Sequence, residues 1–124
     1  MEAPPPTAIV VSGDEEIRSL LRGLLKLQKF RVLGEATGPT EGLELLRNQS
    51  PALLVVDASL PSGAAPGLLT EARRVSPGTR TLFVAPGGST PALPEGMADV
   101  VLLRPFRLQE FADAVGVATG GALG

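Results

Sequence analysis

Short apolar blocks, spaced by stretches of helical period, set the pattern of this chain. Ala8-Ile9-Val10-Val11, Leu53-Leu54-Val55-Val56, Thr81-Leu82-Phe83-Val84 and Val100 to Leu103 are continuous rather than alternating. Ala8 to Val11 predicts a strand buried on both faces, Leu53 to Val56 is the clearest buried strand, and the other two blocks predict a fourth and a fifth strand. Phe30 to Ala36 reads as a further strand, interrupted by Gly38-Pro39. Between the first two strands, Ile17, Leu20, Leu21, Leu24 and Leu27 recur at helical spacing, with Arg18, Arg22 and Lys26 on another stripe that reads as solvated. Ser12 followed by Glu15 predicts a capping box at the start of that helix.

Leu43, Leu45 and Leu46 predict a second helix that runs to Gln49 and stops at Ser50-Pro51. A loop of Pro, Ser, Gly and Ala spans Ala58 to Pro66, and a helix follows from Leu68 to Val75. The stretch Pro86 to Gly96 is broken by proline and glycine, which argues against a regular helix there. After Arg104-Pro105-Phe106, a last helix carries Leu108, Phe111, Ala112 and Val115 and ends at Gly120-Gly121. Strands alternating with helices predict one parallel α/β domain over 8–119, with a proline-rich flexible leader at 1–7 and a flexible tail at 120–124. In such sheets, sites form beyond the carboxyl ends of the strands. That rule singles out Ser12–Asp14, Asp57–Ser59, Ala85–Pro86 and Arg104–Pro105.

Composition narrows the chemistry. The formal charge is −2, and Tyr and Trp are absent, so neither a basic nucleic-acid surface nor a base-stacking platform is expected. Cysteine and histidine are absent too, which removes disulfides, thiolate chemistry and the commonest general base. An independent enzyme is therefore not expected. No apolar run reaches the roughly 18 residues of a membrane span, and Met1 to Thr7 has no signal-peptide core. A cytoplasmic location without membrane contact is the expectation. Asp57 closes the most apolar block. It reads either as a nucleophile or hard-cation ligand, or as a residue that merely caps a loop.

The segments IVVSGDEEIRSLLRGLL, VLGEATGPTEGLELLRNQSPALLVVDASLP and ADVVLLRPF, in this order and spacing, resemble the response-regulator receiver domain of bacterial two-component phosphorelays. The resemblance runs over about residues 8–118. It implies a flavodoxin-like fold with strand order 2-1-3-4-5. It also implies a sensor kinase or a downstream effector domain as protein partner; the oligomeric state stays open. Asp57 matches the phosphoacceptor, Pro61 the proline four residues on, and Ser59 the residue whose backbone carbonyl helps hold Mg²⁺.

The rest of the family's apparatus is altered. Its acidic pair falls on Ser12 and Gly13, with Asp14 one residue late. Its hydroxyl falls on Ala85, its switch aromatic on Val101 and its lysine on Arg104, followed by Pro105 in the place of a cis proline that also reads as a helix start. The loop after Asp57 is longer than usual, and the region of the fourth helix is shortened, making that helix short or irregular. Mg²⁺ is the only cofactor implied, with Asp57, Asp14 and the Ser59 carbonyl as its candidate ligands, and it normally needs more carboxylate charge. Arg104 remains able to pair with Asp57 or with a phosphoryl group. The leading expectation is a degenerate pseudo-receiver that acts as a protein-interaction module. The alternatives are a working Asp57 phosphoacceptor with unusual metal needs and a small-ligand or nucleotide-binding module.

Overall fold

The computed structural model describes residues 4–60, 63–87, 93–94 and 96–120. Five parallel strands form one sheet: β1 (Thr7–Val11), β2 (Arg31–Ala36), β3 (Leu53–Asp57), β4 (Arg80–Pro86) and β5 (Val100–Arg104), in the order β2-β1-β3-β4-β5. Four helices are described: α1 (Glu15–Leu27), α2 (Pro39–Gln49), α3 (Ala64–Val75) and α4 (Leu108–Ala118). This is the predicted flavodoxin-like arrangement.

The strand blocks split their side chains between two cores. Ala8, Val10, Leu53, Val55, Leu82 and Val84 pack with α1 and α4 residues such as Leu21, Leu25, Phe111 and Val115. Their neighbours Ile9, Val11, Leu54, Val56, Phe83 and Ala85 pack on the other face with Leu46, Leu68 and Ala72 of α2 and α3. Both faces are covered, which is why these strands are apolar throughout. Helix α2 comes close to the sheet at Gly42, where an added Cβ would lie 2.9 Å from Val11.

Several predicted details are corrected. β1 starts at Thr7, which the sequence places in the leader, because the Pro6 carbonyl accepts from Arg31 N and Thr7 Oγ1 accepts from Ala52 N. Pro39 breaks the chain after β2 but also opens α2 as its first residue, where its missing N–H costs nothing. α3 begins at Ala64, inside the predicted loop, since Pro66 falls in the first turn where proline is tolerated. Pro105 does not start the last helix: α4 begins at Leu108, with the Glu110 carboxylate accepting from Arg107 N.

Helix faces also shift. Leu20 and Leu27 are 51% and 63% exposed, whereas Leu25, missing from the predicted stripe, is fully buried with Leu21. In α4 the core residues are Phe111, Ala114, Val115 and Ala118, while Leu108 is exposed. Of the predicted solvated stripe of α1, Lys26 is exposed as expected, while Arg18 and Arg22 both pair with Glu35 of β2, at 3.6 and 2.8 Å. Among the described residues between β4 and β5 there is no helix, and most of the expected short fourth helix falls at 88–92 and 95, outside the described residues. The tail at 121–124 lies outside them as well.

Candidate functional site at the carboxyl edge of the sheet

Strands β1 and β3 lie side by side, and the chain leaves them toward opposite faces of the sheet. Their carboxyl ends bring Ser12 and Asp57 together. Both side chains are fully buried. Asp57 Oδ2 accepts from Ser59 N at 3.1 Å and from Ser12 Oγ at 3.2 Å. Ser12 Oγ also lies 3.2 Å from Ser59 Oγ and accepts from Asp14 N at 3.1 Å, while Ser59 Oγ accepts from Gly13 N at 3.1 Å.

A hydroxyl has one proton to give. Ser12 Oγ has two acceptors in reach, the Asp14 carbonyl at 3.1 Å and Asp57 Oδ2 at 3.2 Å, and the carboxylate is the stronger one. The chain then runs from Gly13 N–H to Ser59 Oγ, from Ser59 to Ser12 Oγ, and from Ser12 to Asp57. The charge-assisted bond falls at the end of the chain, on the carboxylate, where it is worth most. The carboxylate is thus held by neutral donors from two loops.

Asp57 Oδ1 has no hydrogen-bond partner. Its nearest cation is Arg104 at the end of β5, whose Nη2 stands 3.9 Å away. The expected Asp57–Arg104 pair is present as an ion pair, but it is longer than a hydrogen bond and not bidentate. At an effective dielectric of 20, two unit charges at that separation attract by about 4 kcal/mol. Desolvation of a fully buried carboxylate is of similar size, so the pair holds Asp57 without saturating it. The Arg104–Pro105 peptide bond is cis.

Asp14 lies outside this cluster. It is the N-cap of α1, and its Oδ1 accepts from Ile17 N at 3.0 Å. The predicted Ser12–Glu15 capping box does not form, because Ser12 Oγ is drawn to Asp57 and Ser59. Ala85 is buried in the core shared by α2 and α3, and Val101 is 42% exposed. Neither offers a hydroxyl or an aromatic ring. Pro61 lies outside the described residues.

The donors poorly fit the Mg²⁺ site that the sequence resemblance implies. One carboxylate oxygen is free, the Ser12 hydroxyl spends its proton on Asp57, and the Asp14 carboxylate is committed to a helix cap. Among the described residues no group of three or more acidic side chains could hold a metal ion. Gly13 adds a steric reason: a Cβ there would lie 3.0 Å from the Ser59 carbonyl oxygen.

Sequence reasoning missed two members of the site. It foresaw only the backbone carbonyl of Ser59, whereas the side chain bridges both loops. It treated Arg18 as surface, whereas Arg18 Nη1 donates to the Ser12 carbonyl at 3.0 Å. The position of Arg18 in the first turns of α1 was the available signal.

No protein-family model matches the chain. The backbone is similar to the signal receiver domain of NarL from Mycobacterium tuberculosis, with a TM-score of 0.80 and 21% identity over 96% of this chain and 99% of that one. A response regulator receiver domain protein from Clostridium thermocellum matches with a TM-score of 0.80 and 21% identity, over 94% of this chain and 95% of that one. The signal receiver domain of an HD domain-containing protein from Pseudomonas fluorescens gives 0.80 and 24%, over 94% and 96%. The fold is that of the response-regulator receiver domain.

In sequence, the receiver-fold chain is 41% identical over 56 residues to the transcriptional regulatory protein AfsQ1 of Streptomyces coelicolor. The match takes in 45% of this chain and spans 24% of the AfsQ1 length. In this fold the carboxyl ends of β1, β3 and β5 bring Ser12, Asp57 and Arg104 to one edge of the sheet.

Proposed function

We propose that this chain is a receiver-type module of two-component signalling that works by binding a protein partner, a sensor kinase or an effector domain, without depending on phosphoryl transfer to Asp57. One observation carries the reading. The buried Asp57 carboxylate is held by Ser12 Oγ, Ser59 N and Arg104, where a phosphoacceptor site would place carboxylates and a metal. Phosphoryl transfer depends on positioning and on neutralising charge at the transferring group. Here Ser12 and Gly13 supply no negative charge for a metal, and Ala85 supplies no hydroxyl.

One feature favours the alternative in which Asp57 is a working phosphoacceptor. Its Oδ1 is unpartnered and stands near a cation. Its lack of exposed surface weighs against that alternative, since a donor would first have to open the site. Incubation with acetyl phosphate and Mg²⁺, followed by intact-mass measurement, separates the two. No mass gain is expected. A gain of one phosphoryl group that disappears in Asp57→Asn would establish the alternative.

A further inference from the structure

An open groove of about 550 Å³ lies beside the Asp57 cluster, on the α1 and α4 side of the sheet. Leu20 and Leu24 come to it from α1, Phe106 and Leu108 from the entry to α4, and Arg104 from the end of β5. Leu20 and Leu108 are each 51% exposed, so apolar surface is gathered here without a cover from the described residues. Arg104 is the one charged residue among the described residues of the lining.

The donors of Arg104 are largely unspent. Its Nε is buried and has no hydrogen-bond partner. Its Nη2 meets Asp57 only at 3.9 Å. A guanidinium offers five donors in a planar fork that matches a carboxylate. The groove therefore combines apolar walls with a cation able to take an anion bidentately. Its volume falls among small-molecule pockets.

We propose that this groove binds a small amphiphilic anion, a carboxylate carried on an apolar chain or ring, with its head on Arg104 and its body against Leu20, Leu24, Phe106 and Leu108. The site goes beyond the reading of Asp57 and stands whether or not Asp57 accepts a phosphoryl group. Because one guanidinium serves both, a bound carboxylate competes with Asp57 for it.

Octanoate, octan-1-ol and octylamine share a tail and differ in head group. Titrated into the ¹⁵N-labelled chain, octanoate is expected to shift the amides of Leu20, Leu24, Arg104 and Phe106 saturably. The alcohol and the amine should bind at least tenfold more weakly. Arg104→Gln should weaken octanoate about tenfold and leave the alcohol unchanged. Leu108→Glu, at an exposed position, should impose the same tenfold loss by like charge, independently of any effect on the Asp57 pair. Equal binding of all three heads, shifts centred outside the groove, or no saturable binding of octanoate overturns the proposal. None of these readouts involves phosphoryl transfer, so failure here is distinguishable from failure of the Asp57 reading.

Discussion

Asp57 has no exposed surface, so each of its lone pairs is answered by the protein or left bare. Oδ2 is answered twice and Oδ1 only by a distant charge. The two members of the ion pair should therefore respond differently to substitution. Asp57→Asn removes the buried charge, and Arg104, 31% exposed, can turn to water. It should hold stability or raise it by about 1 kcal/mol. Arg104→Ala leaves the carboxylate uncompensated and should cost about 1–3 kcal/mol. Urea melts of both variants check this, and equal losses would mean that the pair is mutually stabilising. Asp57 itself was legible in the sequence because it ends an apolar block. The role of Ser59 was not, since its contacts with Gly13 and Ser12 cross 46 and 47 residues of chain. Only the folded register of β1 against β3 makes those residues neighbours.

The strands were the most legible elements: burial on both faces leaves an unbroken apolar mark on β1, β3 and β4, whereas the edge strand β5, equally apolar, leaves Val101 42% and Leu103 43% exposed. Helix limits were less so: Pro39 and Pro66 both read as breakers, yet each occupies a first turn. Helix faces were harder still. Leu20 fits the helical period but is 51% exposed and lines a groove, and Leu24 lines the same groove while also packing against the core. The junction of β4 with β5 gives a prediction at this scale. Gly87 N donates to the Arg104 carbonyl at 2.7 Å, and an added Cβ at Gly87 would lie 2.5 Å from that oxygen. Gly87→Ala must push two backbones apart and should cost about 1–3 kcal/mol. Gly23→Ala in α1 meets nothing within 4 Å and should stabilise by about 0.5–1 kcal/mol. Thermal melts of the two variants should move in opposite directions.

For the whole molecule, the two faces of the sheet differ in what completes them. The face toward α2 and α3 draws its helices from residues 39–75, close to the strands they cover. The opposite face needs Leu102 of β5 and Phe111, Ala114, Val115 and Ala118 of α4, all near the end of the domain. A chain cut after Gly87 should therefore lose cooperative unfolding, although it retains four of the five strands. Circular dichroism against urea would show a sloping transition, and a sharp one would mean that α1 alone covers that face. Among the described residues no helix is long and apolar enough to cross a membrane.

The position of Arg104 on the last strand also bears on how the protein emerges from the ribosome. Asp57 is made before β4 and β5, and the strands that flank β3, namely β1 and β4, both precede β5. Its cation arrives 47 residues later, as the interval from Asp57 to Arg104 in the sequence shows. During vectorial synthesis the nascent sheet must either keep that carboxylate in water or bury it with only the neutral donors of Ser12 and Ser59. The cheaper course is to leave the carboxyl edge open until β5 docks, so that closure of the site becomes a late event in the making of each molecule.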